Sequence, residues 1–207
     1  MSNQRLDTEM WLSRLRDGET AVLAELFGYY RPRLRRMLQL RIGRQLAVRV
    51  DPSDVLQEVY LDATNKVTHY LQDPGVSLFV WLRGLTFDRL LKLQRHHLGA
   101  ERRAAERELR LPERSSAVLA LKLLAPGGRP SSAAVQAELQ GRVQRALNVL
   151  GQADREVILM RHFEEMSNKE VAEALGLTAS GATMRHGRAL SRLKEILEAG
   201  SSLEEAP

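Results

Sequence analysis

The chain has 207 residues, 43% of them apolar, with a formal net charge of +5, a pI near 9.9 and no cysteine. That length accommodates one ordinary domain or two small ones, each able to bury a core. The missing cysteines exclude disulfides and thiolate metal sites. No apolar run of about 18 residues is long enough to cross a membrane, and the charged N-terminus lacks a signal core, so a cytoplasmic protein is expected.

Val22, Leu23, Leu26, Phe27, Tyr30, Leu34, Leu38 and Ile42 recur at helical spacing and predict a long amphipathic helix over residues 20–46. Pro32 is expected to bend it or to start a new segment. Residues 31–49 hold seven arginines and no acid. So one-signed a surface suits solvent, phosphates or an acidic protein.

Asp51, Pro52 and Ser53 read as a turn and helix cap, followed by an apolar stripe of Val55, Leu56, Val59, Tyr60, Ala63 and Val67. The opposite face is acidic, through Asp54, Glu58 and Asp62, with Gln57 between them. Those carboxylates fit either a basic partner or intramolecular pairs with the neighbouring arginines. A turn at residues 72–75 leads to a further helix built on Leu78, Phe79, Trp81, Leu82, Leu85, Leu90, Leu91 and Leu93. It leaves through Arg89, Lys92, Gln94, Arg95, His96 and His97, where aromatic and positive groups together suit unpaired bases.

Composition changes over residues 99–132. An alternating-charge stretch, the break at Pro112, a short apolar run over 117–124 and the run APGGRPSS together read as a partly ordered linker. Residues 133–150 return to helix. The expected organisation is therefore all-α: one helical domain over residues 1–98, a flexible linker over 99–132, a second helical domain over 133–199 and a disordered tail over 200–207.

Within the second domain, Ser167 followed by Glu170 is a capping box, because each side chain can satisfy the other's free backbone N–H. The helix it starts would end at Gly176, where the chain needs a positive φ, and Thr178 can cap a second helix almost at once. This is a helix-turn-helix. Its second helix carries Arg185, His186, Arg188, Arg192 and Lys194 with no acid over residues 178–194, which suits it to lie against phosphates. Gly181 and Gly187 are costly inside a helix and suggest close approach of backbone, DNA or a partner. His162 and His186 read as structural. No histidine pair has metal-ligand spacing, no serine lies in a nucleophile elbow and no phosphate loop is present, so neither enzyme activity nor a cofactor is expected.

Together the two halves resemble the extracytoplasmic-function sigma factors, the small two-domain branch of the sigma-70 family of RNA polymerase. DVLQEVYLDA and FVWLRGLTFDRLLKLQR resemble the core-binding and promoter-melting helices of region two, and LGQADREVILMRHFEEMSNKEVAEALGLT resembles region four. The chain departs from the family pattern at Ser53, Thr64, Asp88, Lys92, Gly151, Thr183 and His186.

The resemblance implies that Asp54, Gln57 and Glu58 face the polymerase core. It implies that Asn65, Lys66, Thr68, His69 and Tyr70 form a loop capturing a flipped base of the minus-ten element, with Arg89, Lys92 and Arg95 on the melted strand or nearby duplex. Thr178, Ser180, Thr183, Arg185, Arg188 and Arg192 would then read the minus-thirty-five element. The implied partners are bacterial RNA polymerase core enzyme, promoter DNA and an anti-sigma factor or other regulator. The helix-turn-helix alone also fits a regulator that binds operator DNA without polymerase.

Overall fold

A computed structural model describes residues 2–19, 21–98, 109–124 and 132–204, and every regular element among them is helical. Helix α1 spans Ser2–Arg16 and α2 spans Val22–Arg41. The short α3, Arg44–Ala47, leads to α4, Pro52–Gln72, and α5, Leu78–Leu98. The buried stripes predicted for α2, α4 and α5 meet in one core, with Leu26, Leu34, Leu38, Leu56, Val59, Ala63 and Leu82 sealed from water. Phe27 meets the ring of Tyr60 edge-on at 5.2 Å, tying α2 to α4.

Two local expectations for this half are corrected or refined. Helix α2 runs through Pro32 unbroken. Proline lacks the N–H that would reach the Gly28 carbonyl, but Pro32 lies on the exposed side, where water can serve that carbonyl. The cap of α4 is Asp51, whose carboxylate accepts the Ser53 N–H at 2.6 Å. That bond holds Asp51 below the usual carboxylate range.

The region expected as a linker is only partly one. Leu109, Leu111, Ala117, Leu119 and Ala120 are buried in the second core, and α6, Glu113–Leu124, lies along α7, Ala133–Val149. Ser116 starts it by placing both its N–H and its hydroxyl on the Pro112 carbonyl. The helical spacing of residues 117–124 was visible; that Val143, Leu147, Leu193 and Leu197 would cover it was not. The charged stretch 101–108 and the Pro/Gly run 125–130 lie outside the described residues.

Helix α8, Gln152–Ile158, passes into a π-helical turn over Leu159–Phe163, and α9, Asn168–Leu175, is followed by α10, Ala179–Glu204. The helix therefore continues through residues 200–204, where a disordered tail was expected; residues 205–207 lie outside the described set. The apolar stripe ends at Leu197, and nothing in the following residues forbids helical dihedrals.

The two halves are packed together. Met160, Met166, Val171, Ala172 and Ala182 share a core cluster with Phe79, Leu82 and their neighbours, while Leu40 of α2 joins the C-terminal cluster. Around these apolar contacts lies a seam of ion pairs. Glu164, only 2% exposed, accepts from Arg41 at 2.6 and 2.8 Å and from Arg83 at 2.7 Å. Arg41 also grips Glu156 with two bonds of 2.8 and 3.0 Å. Farther out, Arg33 forks onto Glu170 at 2.9 and 3.0 Å with its guanidinium 3.5 Å over the Phe79 ring. The Ser77 N–H donates to Glu173 at 2.9 Å.

Candidate functional site

The helix-turn-helix forms from local signals. The Glu170 N–H donates to Ser167 Oγ at 3.2 Å while the Ser167 N–H donates to Glu170 Oε2 at 2.7 Å, which is the reciprocal capping box. Gly176 takes φ 63°, a left-handed value at which a side chain would be strained. The Gly181 N–H then donates to Thr178 Oγ1 at 3.0 Å and caps α10. Asn168 fixes the angle between the two helices by donating to the Ala179 carbonyl at 2.8 Å. Ala182, Ala189 and Leu193 are buried beneath α10.

This leaves one face of α10 open to water. Thr178, Ser180, Thr183, Arg188 and Arg192 are exposed and Arg185 is half-buried at its edge. Met184, 61% exposed, sits among them as an apolar contact of the kind a thymine methyl group can use. Arg192 is also tied back to Asp154 of α8 by an ion pair. The glycine expectation divides: a Cβ at Gly181 would meet Thr178 Oγ1 at 3.1 Å, whereas one at Gly187 would meet nothing of this chain.

His186, on the flank of α10, places Nε2 2.9 Å from Nε2 of His162 in the π-helical turn. Such a contact needs one ring to donate and the other to accept, so both cannot be charged. Burial, then the charge of His186, Lys122 and Arg161, brings His162 down to about 4. Burial with Arg161 and Lys122 also lowers His186. The pair pins α10 to its support.

In the N-terminal half, Asp54, Gln57 and Glu58 share an exposed face of α4. They are not sealed against the arginines of α2. Glu58 instead pairs with Arg89 of α5, so a residue that the resemblance assigns to core binding meets one that it assigns to the minus-ten element. Asn65, Lys66, Thr68 and His69 are exposed, as are Lys92 and Arg95 on α5.

Two implied features are corrected. The stretch carrying Asn65 to Tyr70 is the last part of α4 and not a loop. Tyr70 is buried, stacked on Trp81 at 4.6 Å with its hydroxyl donating to the Val76 carbonyl at 3.0 Å. Burial and the nearby Glu173 push its phenol up to about 12, as befits a packed side chain. Sequence reasoning also passed over Arg41, Arg83, Glu156 and Glu164. Seven arginines without an acid were the signal, and the acids that pair with Arg33, Arg36 and Arg41 lie in the other half of the chain.

A family profile described as "Sigma-70, region 4" matches residues 140–193, which cover the C-terminal part of α7, all of α8 and α9 and the first part of α10. The protein "ECF RNA polymerase sigma factor SigD" of Mycobacterium tuberculosis is 29% identical over 201 residues, 97% of this chain and 88% of its own. Residues 140–193 are thus a sigma-70 region 4, and the chain as a whole is similar to extracytoplasmic-function sigma factors. The "RNA polymerase sigma-E factor" of Streptomyces coelicolor is 45% identical over 53 residues, 26% of this chain and 30% of its own. In fold, the chain is similar to that in "Structure of CnrH in complex with the cytosolic domain of CnrY", with TM-score 0.52 and 22% identity over 92% of this chain and 96% of that one.

Proposed function

We propose that this sigma factor directs core RNA polymerase to promoters by binding alone, without making or breaking a bond, and that it works in the cytoplasm where polymerase and promoter DNA meet. The observation that carries this reading is the exposed, acid-free face of α10 on a helix-turn-helix within the region-four match. Thr178, Ser180, Thr183, Arg185, Arg188 and Arg192 read the minus-thirty-five element from that face. Arg and Thr can make base-edge contacts in a major groove, and the remaining positive charge positions the helix on phosphates.

Asp54, Gln57 and Glu58 bind the core enzyme through the carboxylate face of α4. Asn65, Lys66, Thr68 and His69, with Arg89, Lys92 and Arg95, engage the minus-ten element once it is unpaired; Tyr70 supports them from within. Trapping exposed bases by stacking supplies roughly 1–3 kcal/mol each toward melting. Because Glu58 already pairs with Arg89, core binding and minus-ten binding draw on one ion pair. No helix among the described residues is long and apolar enough to cross a membrane.

The test is run-off transcription from genomic fragments with purified core polymerase, using the full chain and the D54N/Q57A/E58Q variant. The wild-type chain initiates at discrete start sites. The variant fails to bind core and to initiate while keeping its helical content. Failure of the wild-type chain both to bind core and to initiate on any fragment would falsify the reading.

A further inference from the structure

The middle of the exposed face of α10 presents carbon where a helix that only held phosphates would present donors. Ser180, Thr183, Met184, Gly187, Arg188 and Ser191 share that face. Met184 stands among them 61% exposed, the large apolar side chain that α9 and α10 leave exposed among the described residues. The hydroxyls beside it are engaged with the helix itself. Thr183 Oγ1 donates to the Ala179 carbonyl at 3.0 Å, and Ser191 Oγ donates to the Gly187 carbonyl at 3.2 Å. Neither proton is free for a base or a phosphate while those bonds hold.

Gly187 lies one turn beyond Met184 and opens the same spot further. Its backbone is helical, so no dihedral demands glycine, and a Cβ there would meet no neighbouring atom of this chain within 4 Å. Alanine would suit the helix better, because glycine gives up more backbone freedom on folding. Gly181 differs, since its Cβ would press on Thr178 Oγ1 at 3.1 Å and the fold itself explains it. Helical side chains lean toward the N-terminus, so a side chain at position 187 would roof the surface beside Thr183 and Met184. Its absence leaves a notch, with helix backbone for a floor and the thioether for a wall.

We propose that Met184 and Gly187 take the C5-methyl group of one thymine in the upstream promoter element and so set the base preferred there. This rests on the reading of α10 as the minus-thirty-five helix and names a contact within it. In the major groove the thymine methyl is the apolar group on the base edges, and the other groups are donors and acceptors. A guanine or adenine set against the thioether loses the water on N7 and gains no good bond in return. A cytosine brings no methyl group. The notch selects by apolar contact, while Arg188, one turn from Met184 on the same face, supplies charge.

The test removes the methyl group alone. Run-off transcription with core polymerase finds genomic fragments on which the full chain initiates, and footprinting of the holoenzyme marks the upstream element. Each thymine of that element is then replaced in turn by deoxyuridine, which lacks the C5-methyl and keeps every hydrogen-bonding group. Wild-type holoenzyme should bind one of these templates about fourfold more weakly, as expected for one buried methyl group. M184A should bind the thymine template about fourfold more weakly and lose nothing further on that uracil template. A merely structural role for Met184 would weaken both templates alike, so the non-additivity identifies the contact. An upstream element without thymine, no uracil effect on wild type at any position, or an equal uracil effect on M184A overturns the proposal and leaves the sigma reading intact. Absence of initiation on every fragment overturns the notch, and absence of core binding as well overturns the sigma reading.

A second variant isolates Gly187. G187A should melt about 2–4 °C higher than wild type, because alanine favours the helix. Its holoenzyme should bind the thymine template about fivefold more weakly or worse, because the added methyl crowds the notch. A lower melting temperature or an unchanged affinity overturns the role of Gly187.

Discussion

The arginines of α2 and those of α10 are the same chemistry in opposite circumstances. Arg41 is buried and bonded to two glutamates, whereas Arg188 stands exposed on a face without acid. The difference lies in where the nearest carboxylate sits after folding. On α10 the acids tied to the basic series among the described residues are Asp154, which holds Arg192, and Glu198, which pairs with Lys194, both toward the end away from the turn. On α2 three of the five arginines, Arg33, Arg36 and Arg41, face glutamates from the other half. Positive charge in this protein is therefore of two kinds: some holds the molecule together, and some is left for a polyanion.

The largest effect should come from breaking the first kind. R41A leaves Glu164 and Glu156 short of a partner in a buried place and should cost about 3–5 kcal/mol, read as a lower midpoint in urea unfolding. The second kind should behave in reverse. R188A should weaken promoter binding by the assembled holoenzyme by about 1–3 kcal/mol while changing unfolding stability by less than about 0.5 kcal/mol. If R188A proves as destabilising as R41A, the distinction between the two sets is lost.

Smaller changes sharpen the comparison by testing the frame that holds α10 in place. S167A removes one partner of the capping box and should cost about 1 kcal/mol in thermal unfolding, with DNA affinity falling only as far as the fold does. The mildest effect is one of pH. His162, down at about 4, and His186, also lowered, are held below their unfolded value of 6.5, so the fold favours their neutral forms. Their contribution is complete above pH 6.5 and is lost as pH falls from there toward 4, when the unfolded chain binds protons that the folded pair refuses. The melting temperature should decline over that window, and H162Q should flatten the decline.

Much of the architecture was legible in the chain. Helical periodicity located α2, α4, α5 and α7, and the sequence from Ser167 to Thr178 spelled out a capping box, a left-handed glycine and a second cap. The exposed residues of α10 were legible for the same reason, because a helix of known face must bury Ala182, Ala189 and Leu193 and show the rest. Tyr70 came into the minus-ten set from the resemblance, which carries no information on what packs around it. Trp81, eleven positions on, decided for the core. The run over residues 117–124 was misjudged because its covering partners lie in α7 and α10.

What the sequence by itself determined is everything settled within a few residues: helix starts, stops, faces, and an acid-free stretch over residues 178–194. Ser167 and Glu170 are three positions apart, so their reciprocal bonds follow from helix geometry whatever else Glu170 meets. Only the tertiary structure decided which arginines would be consumed and which left over, because Arg41 finds Glu164 across 123 positions. Charge attraction acts through space and carries no sequence spacing, so the pairing of the seam was fixed when the two halves docked.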